Sequence, residues 1–569
     1  MVKKWRLAKP APKKFIEEFP EFHPVILQLL YNRGITSEKE IEKFVNPDWE
    51  RDLYDPFLMK GMQEAVRRLK KAINHKERVV IFGHFDVDGV TSCALLYFVL
   101  KKLGLLPSVY IPDRAESYGL NPGAINEFLK EKIDLIVTVD TGISSAKEIE
   151  LANRLKMDVI VCDHHKVPKT LPKAKAILNP NQKGCPYPFK ELAGVGVVFK
   201  LAQAIANSQQ PTANNQQSTT NSQQLKWLAD LVALGTICDV APLIDENRLF
   251  AKFGLIVLNK TKNIGLQKLY QVSQVRPGSI DVYTSSFILG PRLNAPGRMD
   301  HANASFYLLT TPLAQKAEEL AVILDKHNQE RQRVLERAVS EAKREVEEKG
   351  LLKKKLIMLG KEDWPSGIIG LIAGRLVNEY SRPAFVLQIG KEKSKGSGRS
   401  IDAFHMTEAL ELVSHHLLQF GGHKKAAGFS VLTEKIDELT KELVELAEKK
   451  LTSEDITPVL DIDAKIDISS INWDFWEALE KFEPTGYGNE KPVFCAEKVK
   501  IESVKTVGRQ AQHLKMKIGG FDGIYFDGSK KDLKIEEDDF IDIAFQLGVD
   551  EWNSQRKLQL KIIDMKKSK

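Results

Sequence analysis

Short apolar runs alternate with amphipathic segments between residues 78 and 162. The runs are continuous, as in Val79-Val80-Ile81-Phe82, which is typical of buried strands. Strands are predicted at Arg78–Gly83, Ser108–Pro112, Asp134–Val139 and Asp158–Cys162, with helices near Ile125–Lys132 and Ala146–Leu155. This order predicts an α/β fold with a doubly wound parallel sheet, in which ligands bind beyond the carboxyl ends of the strands.

A long helix is predicted between Ala314 and Lys349, because this segment has neither Gly nor Pro and is rich in Glu, Lys, Arg, Ala and Leu. At ~1.5 Å per residue it would reach about 50 Å, which suits a rigid connector between two domains. A coiled-coil dimer is the alternative, but the apolar positions are too irregular for a sustained heptad repeat.

The sequence after this helix predicts two further domains. Apolar runs at Leu356–Leu359 and Ala384–Leu387, with helical patterns between and after them, predict a smaller α/β domain. From about Pro458, alternating segments such as Ile501–Val507 predict an all-β domain of small-barrel size. The predicted division is an N-terminal region (1–70), a larger α/β domain (71–313), the connector helix (314–349), the smaller α/β domain (350–450) and a β-barrel (451–569), with a polar, disordered insertion at 207–224.

Composition narrows the class of protein only slightly. A chain of 569 residues is long enough for several domains, and a formal net charge of +7 is compatible with a polyanionic ligand without establishing one. The five cysteines are scattered and form no C-x-x-C pair, which argues against a disulfide scaffold and against a structural zinc site. The N-terminus has no apolar signal region and no apolar stretch is long enough to span a bilayer, so a cytoplasmic protein is predicted.

Acidic residues and histidines cluster at the ends of the predicted strands. The clusters are His84-Phe85-Asp86-Val87-Asp88, Asp140-Thr141-Gly142, Asp163-His164-His165 and, after a predicted helix, Asp239. On an extended segment alternate residues project to one side, so His84, Asp86 and Asp88 are expected to converge. Each cluster alone is ordinary turn or cap chemistry, but carboxylates gathered at one sheet edge repel one another unless cations neutralise them. Carboxylate and imidazole ligands without thiolate predict a site for Mn²⁺ or Mg²⁺.

The motifs that contain these residues resemble those of a known superfamily. HFDVDG, VDTG, DHH and GTICDVAPL, in this order, resemble the DHH phosphoesterases. HPVILQLLYNRGI, IPDRAESYGL, GPRLNAPGRM, GSGRSIDAF, FGGHKKAAGF and PTGYGNEKPVF extend the resemblance to the RecJ family over nearly the whole chain. The resemblance implies a DHH domain, a DHHA1-type domain and an OB-like barrel. It also implies a two-metal exonuclease that hydrolyses single-stranded DNA 5′→3′ to nucleoside 5′-monophosphates in repair and recombination.

The resemblance also implies a role for individual residues. One ion would be held by His84, Asp86 and Asp140, and the other by Asp88, Asp140, His164 and Asp239, with Asp140 bridging them. Asp163 would orient the site and His165 would contact the scissile phosphate. The substrate would be bound by Arg114, Arg298, Ser397, Arg399 and His423. The Gly-Ser-Gly segment around Ser397 is expected to offer backbone amides to an anion.

Two positions depart from the family pattern. The first residue of HFDVDG is often Asp in the family, and His84 here keeps a metal ligand at that position. A His often follows the residue equivalent to Trp364, but Pro365 stands there, so the role of that His is not carried over. Outside the motifs, His415-His416 lies in a predicted helical stretch with Leu417 and is interpreted as structural. The barrel candidates for base stacking are Phe494, Tyr525, Phe526 and Trp552.

Two other functions fit parts of the sequence. A DHH enzyme for very short oligonucleotides, cyclic dinucleotides or phosphorylated adenosine nucleotides is the nearer alternative, although such a substrate needs no extended strand-binding surface. A replication subunit that keeps the fold without metals is the other, and the joint presence of all the candidate ligands argues against it. The expected partner is single-stranded DNA, and the resemblance adds a helicase or a single-strand-binding protein. A monomer without membrane attachment is expected.

Overall fold

The computed structural model describes residues 3–113, 119–208, 225–295, 303–530, 535–551 and 556–568. They form two compact units: the larger draws on Trp5–Asn294, His301–Val322 and Leu460–Lys569, and the smaller is built mainly from Ile323–Val459. No helix within the described ranges is both long and apolar enough to cross a membrane. The predicted insertion at 207–224 lies outside these ranges from residue 209 onward.

The first elements of the larger unit are short and mostly helical. They are β1 (Lys4–Leu7), α1 (Lys13–Glu18), α2 (Pro24–Asn32), α3 (Glu38–Val45), α4 (Trp49–Asp52) and α5 (Met62–His75). Helix α3 begins after Ser37, which forms a capping box with Glu40. Apolar side chains of α1 and α2, such as Phe15 and Leu27, are buried in a core that they share with the C-terminal strands.

A five-stranded parallel sheet lies at the centre of the larger unit. The elements are β2 (Val79–Gly83), α6 (Val87–Lys102), β3 (Ser108–Tyr110), α7 (Pro122–Lys130), β4 (Leu135–Val139), α8 (Ala146–Arg154), β5 (Asp158–Cys162), β6 (Ala176–Leu178) and α9 (Gly194–Asn207). The strand order is β3-β2-β4-β5-β6.

Helices cover both faces of this sheet, which confirms the predicted doubly wound fold. On one face, Phe82 and Ile136 pack in a core with residues of α7 and α8. Strand residues of the opposite parity, such as Ile81 and Val137, are also buried, and α6 and α9 contact the same strands. The sequence did not predict β6, because three residues are too few for a periodic signal.

Further helices complete the region around this sheet. They are α10 (Ala229–Cys238), α11 (Asp245–Leu258), α12 (Ile264–Val272), a π-helical segment (Thr284–Leu289), α13 (Gly290–Leu293) and α14 (Asn303–Thr310). Apart from Asp230 and Thr236, helix α10 is apolar on all sides, and it is buried up to Ile237 because α6, α9 and α11 all pack against it. It ends at Cys238, so Asp239 is the first residue beyond a buried helix.

The smaller unit begins within a long helix. Helix α15 (Ala314–Glu348) has 35 residues, which confirms the helix predicted there. The elements that follow are β7 (Ile357–Lys361), α16 (Ser366–Tyr380), β8 (Ala384–Gln388), β9 (Lys393–Arg399), α17 (Met406–Leu412), β10 (Leu417–Gly422), β11 (Ala426–Leu432) and α18 (Ile436–Lys450). Their sheet has the order β10-β11-β9-β8-β7, in which β7 and β8 are parallel and the other pairs are antiparallel.

Strand β9 contradicts one expectation from the sequence. Gly396, Ser397 and Gly398 lie in the middle of the sheet and pair with β8 on one side and β11 on the other. Their amides therefore form the hydrogen bonds between neighbouring strands, and the expectation that they bind an anion is wrong. The glycines are needed for packing, since a Cβ at Gly396 would lie 2.1 Å from the ring of Phe429.

The C-terminal part of the larger unit is a closed barrel, as predicted. Its elements are β12 (Val459–Ile462), β13 (Ala464–Lys465), α19 (Trp473–Glu480), β14 (Phe494–Val507), β15 (His513–Ile518), β16 (Phe521–Tyr525), β17 (Phe540–Asp550) and β18 (Lys557–Lys567). The order β14-β15-β16-β18-β17 closes through pairing of β14 with β17. Strand β12 pairs with β1, so the first strand of the chain lies beside the strand that leads into the barrel.

Candidate metal centre

The three central strands of the parallel sheet end level with one another. Gly83 pairs with Val139, and Val139 pairs with Cys162. The next residues along the chain, His84, Asp140 and Asp163, therefore leave the sheet at the same edge. The structure thus brings together the acidic and histidine clusters that the sequence placed at strand ends.

The first cluster converges through a strand–turn–helix and not through an extended segment as expected. Asp86 is the N-cap of α6, where its carboxylate accepts a hydrogen bond from the amide of Gly89 at 3.0 Å, and Asp88 lies in the first turn. The turn is tight, because a Cβ at Gly89 would lie 2.3 Å from the carbonyl oxygen of His84. The helix start, and not strand alternation, directs both carboxylates to the sheet edge.

Asp140 occupies the centre of the cluster. Its φ of 57° is left-handed, which is uncommon for a residue other than glycine and often marks a functional position. The residue is 1% exposed, and its amide donates a hydrogen bond to the carbonyl of Cys162 at 2.9 Å. Neither carboxylate oxygen accepts a well-aligned hydrogen bond from any residue in the described ranges. A buried carboxylate that accepts no well-aligned hydrogen bonds needs positive charge beside it.

Two groups of possible ligands meet at Asp140. On one side, the Nδ1 atom of His84 lies 2.9 Å from Oδ2 of Asp86 and 3.4 Å from Oδ2 of Asp140. On the other side, the Nε2 atom of His164 lies 3.1 Å from Oδ1 of Asp140 and 3.9 Å from Oδ2 of Asp88. His164 Nε2 also lies 3.9 Å from Oδ2 of Asp239. The ligand atoms of His84, Asp86 and Asp140 lie within 4.8 Å of one another, as do those of Asp88, His164 and Asp239.

The electrostatics of the cluster indicate a demand for cations. Burial disfavours charge on His84, but the adjacent Asp86 and Asp140 carboxylates raise the pKa of its imidazole to about 10. His164 follows the same rule, since Asp140 and Asp239 raise the pKa of its imidazole well above the usual value. Burial raises the pKa of Asp239 to about 7. Without metal, protons supply the positive charge, and divalent cations that replace them fit these residues.

Asp163 belongs to none of the ligand groups found among the described residues, and it anchors the loop after β5. Its buried carboxylate accepts hydrogen bonds from the amides of Ile143, His164 and His165 at 2.9, 2.8 and 3.0 Å. The Nδ1 atom of His165 lies 2.7 Å from the same carboxylate and 3.9 Å from Oδ1 of Asp140. Burial opposes charge on His165, but Asp163 raises the pKa of the imidazole. Asn179, after β6, supports the loop by donating to the carbonyl of His165 at 2.9 Å.

Helix α9 holds Asp88, a contact that the sequence did not predict. The amides of Gly194 and Val195 donate to the two carboxylate oxygens of Asp88, each at 2.7 Å. Gly194 also touches Asp140, since a Cβ there would lie 2.7 Å from the Cβ of Asp140. Glycine is thus required at the first position of this helix. Neighbouring glycines at the start of an apolar helix, in Ala193-Gly194-Val195-Gly196, were the available signal.

Comparisons with known proteins agree with this architecture. The sequence matches the DHH family N-terminal domain over residues 78–236, the DHHA1 domain over 352–449 and the RecJ OB domain over 462–564. It is 38% identical to the single-stranded-DNA-specific exonuclease RecJ of Bacillus subtilis, over 99% of this chain and 70% of that protein. The chain belongs to the RecJ family. It is also 34% identical to the Haemophilus influenzae RecJ, over 95% of each chain.

A solved RecJ structure has the same fold. The crystal structure of RecJ in complex with Mn²⁺ from Thermus thermophilus superposes with a TM-score of 0.83 at 25% sequence identity. The match covers 100% of this chain and 80% of that chain. The parallel sheet, the smaller α/β unit and the barrel of this RecJ-family chain are therefore folds that it has in common with that protein.

Three candidate substrate residues of this RecJ-family chain belong to the smaller unit, whereas the carboxylate cluster belongs to the larger unit. Ser397 and Arg399 are on β9 of the smaller unit, and His423 is exposed in the turn between β10 and β11. Arg399 donates to the Oγ atom of Ser397 at 3.2 Å. Arg114 and Arg298 lie outside the described residues.

The aromatic residues of the RecJ barrel that were predicted to stack on bases differ in their exposure. Phe494 and Tyr525 are buried in the barrel core, so they are not available to stack on bases. Phe526 is 57% exposed beside His513, with ring centroids 5.2 Å apart. Trp552 lies outside the described residues.

Proposed function

We propose that this chain is a metal-dependent exonuclease that hydrolyses single-stranded DNA 5′→3′ and releases nucleoside 5′-monophosphates in DNA repair and recombination. Its RecJ relatives from Bacillus subtilis and Haemophilus influenzae bear the name of a single-stranded-DNA-specific exonuclease. The observation that carries the proposal is the buried cluster in which Asp140 lies between two groups of ligands.

Each ligand group suits one hard divalent cation. His84, Asp86 and Asp140 are proposed to hold one ion, and Asp88, Asp140, His164 and Asp239 the other. Mn²⁺ or Mg²⁺ is proposed, because the donors are carboxylates and imidazoles without thiolate and because the Thermus thermophilus relative was crystallised with Mn²⁺. When bound, such a pair supplies Lewis acidity toward the phosphodiester and its attacking water.

The chain itself supplies a rigid frame for this chemistry. Asp86 is fixed as a helix cap, and Asp88 is fixed by the two amides of α9. Ligands held by backbone groups keep their geometry without a cost in side-chain entropy, which favours a preorganised site. No covalent nucleophile is proposed, since water is the attacking group.

His165 is proposed to contact the scissile phosphate. Asp163 holds its Nδ1 atom, so the imidazole keeps one orientation. Burial opposes charge on His165, but the Asp163 carboxylate raises its pKa and so favours the protonated ring. An Nε2–H donor aimed at a phosphate oxygen would stabilise the negative charge that develops there during hydrolysis.

The smaller unit is proposed to bind the phosphate backbone through Arg399, Ser397 and His423. Burial lowers the pKa of the Arg399 guanidinium, and no carboxylate within the described residues forms an ion pair with it. Residue 370 of α16 is a glycine that packs closely against both side chains. A Cβ at Gly370 would lie 3.0 Å from Ser397 Oγ and 3.1 Å from Arg399 Nη2. A half-buried guanidinium without a carboxylate is suited to a phosphate. Arg114 and Arg298 belong to the proposed set through the family motifs alone.

The barrel is proposed to bind single strands outside the catalytic centre. Lys505 and Lys515 face each other directly across β14 and β15, and neither forms an ion pair within the described ranges. Like charges at opposed positions destabilise a sheet unless an anion lies between them. Phe526 adds an exposed ring near the end of β16. Basic side chains beside exposed aromatics are typical of single-strand-binding barrels.

Several finer parts of the proposal rest on the family resemblance. They are action as a monomer in the cytoplasm and partnership with a helicase or a single-strand-binding protein. The division of labour among residues 71–313, 350–450 and 451–569 into catalysis, substrate binding and strand binding is proposed on the same basis.

The direct test is hydrolysis of labelled oligonucleotides by the purified chain with Mn²⁺. A single strand labelled at its 5′ end should yield labelled mononucleotide at once, whereas a 3′-labelled strand should first yield a ladder of shorter strands. Circular single strands and blunt duplexes should resist. Asp140→Ala should abolish product formation, and Asp474→Ala, at an exposed position of α19, should retain it.

Three outcomes would contradict the proposal. Degradation of circular strands at the rate of linear ones would indicate an endonuclease. Rapid hydrolysis of dinucleotides with none of longer strands would favour the small-substrate alternative. Equal activity of wild-type and Asp140→Ala proteins would place the chemistry elsewhere.

A further inference from the structure

A second cluster of histidine and glutamate side chains lies within the smaller unit, far along the chain from the candidate metal centre. His415 and His416 occupy a 3₁₀ turn, Ser414–His416, directly before β10. Glu438 and Glu442 lie one turn apart on α18, opposite this turn. The prediction that His415-His416 belongs to a helical stretch with Leu417 is wrong, because Leu417 begins a strand. The turn presents both rings to the same helix.

Both imidazoles point to one carboxylate. The Nε2 atom of His415 lies 3.3 Å from Glu442, and the Nε2 atom of His416 lies 3.1 Å from Oε1 of Glu442. The two rings lie 4.2 Å apart, centroid to centroid. One ligand atom from each of these three residues lies within 4.8 Å of the others.

Hydrogen bonding accounts for only part of this arrangement, because His415 Nε2 forms a hydrogen bond with Glu442 Oε1 at 3.3 Å but His416 does not. The side chain of His416 is 8% exposed, and its Nε2 atom forms no aligned hydrogen bond with any described residue, despite its proximity to Glu442. Two protonated imidazoles in contact would repel each other, so two separate ion pairs with one carboxylate would oppose one another. A single cation among the three groups would satisfy both rings and the carboxylate together.

The two nitrogen–oxygen separations are those expected for neighbouring ligands of a tetrahedral ion. Zinc–nitrogen and zinc–oxygen bonds of about 2.0–2.1 Å place neighbouring ligand atoms about 3.3 Å apart around a tetrahedral ion. The two measured nitrogen–oxygen separations, 3.3 and 3.1 Å, are close to that spacing. The Nδ1 atom of His416 faces Oε2 of Glu438 at 3.7 Å, in the position of the carboxylate that orients a histidine ligand.

We propose that His415, His416 and Glu442 bind one Zn²⁺ ion, with water as the fourth ligand and Glu438 orienting His416. Two imidazoles and one carboxylate favour a borderline cation such as zinc over Mn²⁺ or Mg²⁺. The site revises the sequence-based argument against structural zinc, which considered cysteine ligands only. It is separate in residues and in metal preference from the carboxylate-rich centre proposed for hydrolysis.

The proposed zinc ion would stabilise the edge strand β10. Strand β10 is the outer strand of its sheet and is mostly exposed along its length. Its first residue directly follows the histidine pair, and α18 packs into the core of the same unit through Leu439 and Leu443. A zinc ion would therefore tie the weakly buried start of β10 to a well-anchored helix, and through β10 it would steady the turn that carries His423.

The test compares zinc content in four full-length proteins: wild type, His416→Ala, Glu442→Gln and the control Glu445→Gln, at an exposed position of the same helix. Each is stripped with chelator, dialysed against Zn²⁺ in excess Mn²⁺ and analysed by inductively coupled plasma mass spectrometry. Wild type and Glu445→Gln should hold one zinc ion per chain more than the other two. With Co²⁺ as the probe, the same two proteins should show the stronger visible absorption of a tetrahedral site.

Equal zinc content and equal cobalt spectra in all four proteins would overturn the proposal. Glu442→Gln separates loss of zinc from misfolding, because the substitution preserves the shape of the side chain at a partly exposed position. Its circular dichroism in chelator should match that of wild type. All four chains keep the carboxylate cluster of the larger unit, so the outcome does not depend on nuclease activity.

Discussion

Replacement of Gly194 by alanine is a small change that should strongly reduce catalysis. The added methyl group would lie 2.7 Å from the Cβ of Asp140, 2.9 Å from its Oδ1 atom and 3.0 Å from its Cα atom. The Cα and Cβ atoms cannot yield without movement of the backbone, and Oδ1 belongs to the carboxylate proposed to hold the metal ions. Either Asp140 or the start of α9 must move, and the amides of α9 at that point hold Asp88.

The size of the movement follows from the contact distances. Ordinary contact begins at 3.4 Å, so the Cβ–Cβ distance falls short by about 0.7 Å. A displacement approaching 1 Å in a catalytic group costs up to ~100-fold in rate, so a loss of about 10- to 100-fold in kcat is expected. Overpacking costs about 1–3 kcal/mol of stability, and the higher helix propensity of alanine returns up to about 1 kcal/mol.

Gly196→Ala is the matched control on the same helix. Its added methyl group would meet Cδ2 of Leu192 at 3.2 Å, which is the movable end of a side chain, and it would touch neither Asp88 nor Asp140. The rate of mononucleotide release from a 5′-labelled single strand is measured for both variants with saturating Mn²⁺. Urea unfolding in chelator gives the change in stability.

The control variant should keep its rate within about threefold of wild type, since a gain or loss of about 1 kcal/mol in stability leaves the folded population nearly unchanged at 25 °C. If Gly194→Ala has the activity of Gly196→Ala, then close packing of α9 against Asp140 does not set the geometry of the centre. If it unfolds at the same urea concentration but is inactive, the loss is one of positioning, as argued.

Three other predictions test separate parts of the molecule. Asp163→Asn should lower kcat about 10- to 100-fold. It should also move the alkaline limb of the pH–rate profile to lower pH, because the Asp163 carboxylate raises the pKa of His165. An alkaline limb at the wild-type pH would refute this coupling. Burial raises the pKa of Asp230 to about 6, so the unfolded chain ionises first and stability should fall by about 3 kcal/mol in total as pH rises from about 3 to 7. Asp230→Asn should lack this fall in urea unfolding. Phe526→Ala should weaken binding of a long single strand by about 1–3 kcal/mol in fluorescence titration and leave dinucleotide hydrolysis unchanged.

The sequence predicted those elements whose residues repeat a clear pattern. The continuous apolar runs of β2, β4 and β5 and the uninterrupted α15 were identified to within one or two residues. Strand β9 was missed because glycines at positions 396 and 398 replace apolar side chains, and they do so to make room for Phe429 and Phe385. A residue selected for its small size gives no hydrophobic signal.

The candidate metal centre could be predicted from the sequence because its residues adjoin the ends of predicted strands. Parallel strands bring their carboxyl ends to one edge, so residues next to strand ends are close in space whatever the intervening loops do. The two amides that hold Asp88 belong to a helix that begins more than one hundred residues later, and backbone donors have no sequence signature. The assignment of Ser397 and Arg399 depends on motif resemblance in the same way, since no periodicity singles them out.

The core shared by the first helices and the C-terminal barrel has a consequence for synthesis on the ribosome. Phe15 and Phe19 are buried with Phe545 and Ile562, and the indole of Trp5 donates a hydrogen bond to Asp564 at 2.9 Å across 559 positions of sequence. At about 5–20 residues per second, the N-terminal helices leave the ribosome roughly half a minute to two minutes before their partners are made. During that interval their apolar faces lack the surface that buries them, so this segment is the natural point of chaperone contact and of early proteolysis in a nascent chain.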